Sequence, residues 1–338
     1  MINSFLLKII RLKYFTLLLI GIIFSSACFS QTITAADKKK LMIKEDSLKL
    51  FARYMITDSF PEDRMISDSI FVKTLVRALL IKNSFYYPFD SVFGISKLVA
   101  PDSSFRIFTW NVEVDDYRSM QRGAIQFPTK DGSLKLIGLH DVSLTTNKPD
   151  DSVRNKRNWI GAVYYNMIKT EYNGKNYYTL FGFDPSGVQS MRKWIDVLHF
   201  DQRNEPVFGG PFFSYANDSI PQSTKYRFSI EFKKDARVLA DYIDEMDMIL
   251  VDHLISETDQ PELKWTYVPD GDNEGFKWEN GKWMHIDKVF TFKLQDGQAP
   301  VDEKILDSKG KADEKKLQER SDKNKTKEQQ RMPINYDN

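Results

Sequence analysis

The chain has 338 residues, of which 41% are hydrophobic, 28% charged and 13% aromatic; that balance supports a sizeable core and excludes a stapled mini-protein or a wholly disordered chain. Lys plus Arg number 48 against 47 Asp plus Glu, so there is no net basic field to gather phosphates and nucleic acid is not an expected partner.

In chain order the first feature is a leader. Residues 1–30 run from a basic stretch with Lys8, Arg11 and Lys13, through an apolar run from Tyr14 to Phe24, to small residues, the layout of a secretory signal. The run falls short of the roughly 20 apolar residues that span a bilayer comfortably. Two processing sites compete. Cleavage before Gln31, with Cys28 and Ser30 at the small positions, releases a soluble chain; Ser25-Ser26-Ala27-Cys28 instead forms a loose lipoprotein box, with Ser25 where Leu is usual, and makes Cys28 the lipidation site. Either way the remaining chain has no thiol and no disulfide, so it stands on its core alone. Removing the leader takes away three positive charges and no negative ones, which moves the net charge from +1 to −2. A basic membrane-surface patch is therefore not expected, and the membrane enters only through an anchor at Cys28. The expected location is periplasmic, cell-surface or extracellular.

Residues 31–90 read as a helical segment. Leu48, Phe51, Ala52 and Met55 recur at helical spacing, as do Phe71, Leu75, Ala78 and Leu79. Ser59, followed by Pro61 and Glu62, reads as a capping box opening the second helix, or as a plain loop residue. Over 91–300 the period changes to two, most clearly where Tyr226, Phe228, Ile230 and Phe232 alternate with Arg227, Ser229, Glu231 and Lys233. Further strands are predicted over 105–114, 123–127, 134–139, 162–171, 175–183, 193–200, 207–213, 238–243, 246–255 and 278–290. Asp131-Gly132, Asn173-Gly174 and Asn280-Gly281 accept positive φ and predict tight hairpins. The fold class is mainly β: a large antiparallel meander, arranged as a barrel, sandwich or curved sheet, with an N-terminal helical segment. Residues 302–338 hold ten basic and nine acidic side chains among 37 and almost no branched or aromatic ones, which predicts a disordered tail over 301–338.

Phe105 to Asn111, the Tyr267-Val268-Pro269-Asp270-Gly271 turn and the Asn280-Gly281-Lys282-Trp283 hairpin resemble features of an uncharacterised family of exported bacterial envelope proteins, across most of residues 90–290. The resemblance implies no activity, ligand or catalytic residue.

Four histidines each have an Asp nearby. His140-Asp141 and Asp252-His253 are adjacent and point to opposite faces of a strand, so they read as incidental. His199 with Asp201, and His285 with Asp287, are two apart and share a face, as a metal site or a base with its orienting carboxylate would require; their bland alternative is the capping of strand ends. Asp270-Gly271-Asp272-Asn273-Glu274-Gly275 puts oxygen ligands at alternate positions, yet Gly281 stands where a calcium loop needs a bidentate Glu. A polar hairpin connection is the expectation there. Asp270, Asp272, Glu274, His199, Asp201, His285 and Asp287 are thus only metal candidates; no metal and no cofactor is expected.

No G-x-S-x-G, H-E-x-x-H or phosphate-cradling glycine motif occurs. The aromatics remain: Trp110, Trp159, Trp194, Trp265, Trp278 and Trp283 lie in or beside predicted strands, and Tyr164-Tyr165 and Tyr177-Tyr178 must put one ring on each face. Either a second layer, with the N-terminal helices in that role, covers those rings, which is the favoured reading, or they form a platform for sugars or apolar ligands. The expected function is that of an exported, non-catalytic envelope binding or scaffold protein, with a glycan or another envelope component as partner. The alternative is a glycan-acting hydrolase using paired carboxylates.

Overall fold

Two helices, α1 (Ala35–Thr57) and α2 (Pro61–Leu79), open the folded region of the computed structural model, which describes residues 32–290 apart from 116, 117, 186, 188 and 221. The leader, Cys28 and the tail over 301–338 lie outside the described residues. The Thr34 hydroxyl accepts from the Asp37 amide and caps α1. Contrary to the capping-box expectation at Ser59, the residue preceding α2 is Phe60, whose side chain makes no cap bond, and Pro61 supplies the first turn. The Asp58 and Ser59 carbonyls instead accept from the Arg64 guanidinium, which also donates to the Glu113 carbonyl at 3.0 Å and ties the helix–helix turn to the first sheet.

That sheet is an antiparallel meander of β1 (Ser96–Val99), β2 (Arg106–Glu113), β3 (Ser119–Phe127) and β4 (Lys135–Leu139). A second sheet runs in the order β5 (Arg154–Asn155), β9 (Pro206–Phe208), β8 (Ser190–Phe200), β7 (Lys175–Asp184), β6 (Val163–Tyr172), with β12 (Phe228–Lys233) sharing the β9 edge of β8. The third runs β11 (Gln222–Lys225), β10 (Phe213–Tyr215), β16 (Lys282–Ile286), β15 (Tyr267–Glu279), β14 (Met248–Ser256), β13 (Ala240–Ile243). The fold is mainly β, as expected, with one departure from an antiparallel meander: β10 pairs parallel with β16.

Three cores join four layers. Leu41, Leu48 and Met55 of α1 and Phe71, Leu75 and Leu79 of α2 pack on Phe108, Trp110 and Val112 of β2. The opposite face of that sheet, through Ile107 and Ile125, meets Trp159, Tyr164, Leu180, Leu198 and Phe208. The far face of the second sheet, through Phe181, Ile195 and Val197, meets Phe213, Ile249, Val251, Phe276 and Trp283. The middle sheet is therefore buried on both faces, and β8 reads as an unbroken buried run from Trp194 to Leu198. Each such Leu, Ile or Phe removed from water contributes roughly 1.5–3 kcal/mol. A second layer does cover most of the aromatics, as favoured from the sequence, but over β6–β8 that layer is a sheet, and the helices cover only the first sheet.

Buried charge is compensated inside these layers. Asp68 of α2 accepts from Trp110 Nε1 at 2.9 Å and from Arg122 at 2.7 Å. Arg227, fully buried, meets Asp196 at 3.1 Å and donates to the carbonyls of Pro149, Ser152 and Phe208. Arg106 has no carboxylate: it donates to the Ser84 and Tyr87 carbonyls and to Gln126 Oε1, with its charge over the Phe85, Phe89 and Phe108 rings.

Asn173-Gly174 and Asn280-Gly281 close two-residue hairpins with both residues at positive φ. Asp131-Gly132 instead lies in a longer connection between Phe127 and Lys135, stabilised by an Asp131–Ser133 turn. The strand expected over 207–213 is split at Gly209-Gly210 into β9 and β10, and the one expected over 278–290 is split at Asn280-Gly281.

Candidate functional site

Splitting the 207–213 run builds a cleft. Gly209 adopts φ +77°, a region open to glycine, and a Cβ on Gly210 would stand 2.5 Å from the Phe212 ring. These two glycines let the chain fold back, with the Phe212 amide donating to the Gly210 carbonyl at 2.6 Å, so that the Phe212 ring turns toward the start of β7 and the end of β8. The resulting cleft, of about 870 Å³, wraps round that end of the second sheet. On one face of the sheet Tyr177, Phe212 and His199 form its wall, with ring centroids of Tyr177 and Phe212 5.3 Å apart and the Trp278 ring behind them 5.8 Å from Tyr177. On the other face stand Phe127, Phe200 and Tyr178, Phe127 and Phe200 being 5.2 Å apart. Lys175, Asn176, Gln202 and Asn204 add polar groups.

His199 makes no hydrogen bond among the described residues, and its Nδ1 is buried without a partner. Burial, then the charge of Lys175, push its pKa below the ordinary value. The ring is therefore neutral near pH 7 and offers one donor and one acceptor. Its expected partner Asp201 does not bond to it: the Asp201 carboxylate accepts from the amides of Arg203 and Glu205, at 2.8 and 2.9 Å, and holds the β8–β9 turn. Those amides, the Glu205 amide foremost, keep its pKa low. Asp201 is the single carboxylate among the residues lining the cleft. The Tyr178 hydroxyl is engaged by Asp102 at 2.9 Å.

The other sequence-predicted residues lie elsewhere. Asp270 to Gly275 is not a loop but part of β15, so the calcium-loop and hairpin-connection readings both fail: Asp270, Gly271 and Asp272 bulge opposite His253, and pairing with β14 resumes on either side, Leu254 with Pro269 and Asp252 with Asn273. Gly271, at φ +95°, makes that bulge attainable. The three acids turn to three different basic side chains. Asp270 meets His253 Nδ1 at 2.8 Å, Asp272 meets Lys288 Nζ at 2.6 Å, and Glu274 meets His285 Nε2 at 3.0 Å. Asp287 is exposed beyond β16 and makes no bond to His285. Instead the buried His285 lies between two carboxylates, with Asp218, 67 residues away, at 2.9 Å from Nδ1 and Glu274 on the other nitrogen. Burial opposes its charge, but hydrogen bonds donated to Glu274 and Asp218 outweigh burial and raise its pKa. This is a clamp across the third sheet, from the loop after β10 through β16 to β15. His140 is exposed, while Asp141, expected to be incidental, accepts from the amides of Gln121, Ser143 and Gly161 and so organises a turn. Among the described residues no group of three or more His, Cys, Asp or Glu side chains is placed to hold a metal ion.

A smaller polar pocket of about 320 Å³ has Glu231 and Glu274 among its lining residues. Glu231 is held by Arg192 and Ser190 at 2.6 Å each, and Glu274 by His285.

The cleft draws on residues that no local motif announces. Tyr177 was marked in the sequence by its pairing with Tyr178, but Phe212 was hidden inside an apparent strand; the Gly-Gly-Pro run before it was the available signal. No family model matches the chain, and neither a curated protein nor a solved structure is detectably similar to it.

Proposed function

We propose that this chain is an exported bacterial envelope protein that binds a saccharide, without turning it over, in the cleft at the end of the second sheet. One observation carries the reading: the cleft joins aromatic faces, Tyr177 and Phe212 foremost, to side-chain amides and a neutral, unpartnered imidazole. Sugar rings present apolar C–H faces and a belt of hydroxyls, and such walls match both. Hydrolysis needs a second carboxylate with a raised pKa facing the first; in this cleft the one carboxylate is committed to a turn and its pKa is lowered. Export rests on the basic, apolar and small-residue order of residues 1–30.

The test screens the exported chain on a glycan array and on chromogenic glycosides in parallel. Saturable binding without turnover, weakened about tenfold or more by Tyr177→Ala or Phe212→Ala, is expected, a loss of about 1.4 kcal/mol or more of the kind that truncating a central aromatic contact brings. Turnover abolished by a single Asp or Glu substitution overturns the reading in favour of a hydrolase. Mass spectrometry of the protein from a bacterial host is expected to find Gln31 as the first residue or a lipid on Cys28, and an intact Met1 refutes export.

A further inference from the structure

We infer that the outer face of α1 is a docking surface for an anionic lipid bilayer. At 100° per residue, Ile43, Leu50 and Tyr54 fall at i, i+7 and i+11 and form one stripe, on the side opposite the buried Leu41, Leu48 and Ala52. They are 58%, 44% and 39% exposed, so α1 is apolar on two faces and only one of them is used by the core. Lys39 and Arg53 run along one side of the stripe and Lys40 along the other. Lys39, Lys49 and Arg53 make no ion pair among the described residues; of the three acids of the helix, Asp37 holds Lys40 at 2.9 Å, buried Glu45 accepts from the Tyr87 hydroxyl and the Ser91 amide, and exposed Asp46 stands between Lys39 and Arg53, so six Lys and Arg face three acids along α1. A chain with near-zero net charge, whose sequence leads one to expect no basic membrane-surface patch, thus carries a local surplus of positive charge on the helix that bears its exposed apolar stripe.

An apolar stripe rimmed by cations is the form of a helix lying in the headgroup plane, with the apolar side chains in the acyl boundary and the Lys and Arg amines among phosphates. A ring such as Tyr54 belongs at that depth. Two copies of this face meeting each other would bring two helices with the same basic surplus together, while an anionic bilayer neutralises that surplus. Position in the chain points the same way: Ala35 stands seven residues after Cys28, a reach of at most about 25 Å even fully extended. This last point rests on the export reading in its lipidated form, with Cys28 retained; the charge and exposure of the helix do not.

The test is flotation of the exported chain, carrying Cys28→Ser so that no acyl chain contributes, with phosphatidylcholine vesicles and with the same vesicles containing phosphatidylglycerol. Partition onto the anionic vesicles alone, weakened by salt, is expected. Ile43→Glu with Leu50→Glu lowers it at least about tenfold, and Lys39→Glu or Arg53→Glu about fivefold each at low salt, with melting temperatures unchanged because none of these side chains enters the core. The charge reversals keep the test decisive should the double apolar variant fail to fold. Equal partition on both vesicles, no partition, or partition indifferent to the substitutions overturns the inference. So does a dimer formed without vesicles and dissolved by the Ile43→Glu, Leu50→Glu pair, which assigns the face to a second copy. Because no lipid on the protein is involved, failure of the export reading leaves this outcome interpretable.

Discussion

His199 and His285 lie in strands of neighbouring sheets, each with an Asp two residues on, and the folded protein treats them oppositely. His199 borders an open cleft, lacks a partner for its buried Nδ1 and is kept neutral by burial and Lys175. His285 is buried between Asp218 and Glu274, which hold its proton against burial. The same residue type is an unpartnered neutral ring in one place and a structural cation in the other. What separates them is whether carboxylates arrive from a neighbouring strand and a loop, not what stands two residues away in sequence.

Substitutions at the two positions should therefore differ most in stability. His285→Ala strands two partly buried carboxylates and is expected to cost about 3 kcal/mol, at the lower end for breaking a buried ion pair, read as a lowered urea midpoint. An unchanged midpoint would show that the clamp carries no net stability.

The two histidines should also bend the stability–pH curve in opposite directions. With its folded pKa raised, His285 contributes stability that is fully present below its unfolded value of about 6.5 and is lost as pH rises through the folded pKa. With its folded pKa lowered, His199 makes stability fall on the acid side, as pH drops from about 6.5 through the folded pKa. Urea midpoints from pH 4.5 to 8.5 should thus flatten on the alkaline side in a His285→Gln variant and on the acid side in a His199→Gln variant. Loss of the same limb in both variants would contradict the contrast.

The smallest effect is expected for His199→Phe: a change in stability within about 1 kcal/mol, since no hydrogen bond is broken and a buried polar atom is removed, together with weakened saccharide binding. A cost like that of His285→Ala would show that His199 is structural after all.

Much of the fold was legible because alternation is a local property. Phe228 to Phe232 alternate in β12, and the Asn-Gly pairs at 173 and 280 closed their hairpins where expected. The failures were also local in cause. β15 was missed because Pro269, Gly271 and Gly275 and a row of acids carry no apolar alternation, and pairing with β14 overrides that propensity. The Phe212 wall was missed because Val207 to Phe213 reads as one apolar run, and only the glycine backbone breaks it.

By itself the sequence determined the mainly β class, the helical segment at its front and the positions of its tightest turns, since period, glycine and apolar content act over a few residues. The expected leader is equally local, but lies outside the described residues. Only the tertiary structure decided that the sheets stack in layers, that Glu274 and Asp218 rather than Asp287 meet His285, and that a cleft forms beside His199. Those contacts join residues 11 to 67 positions apart, and their energies depend on burial and charge pairing that exist only once the layers have closed.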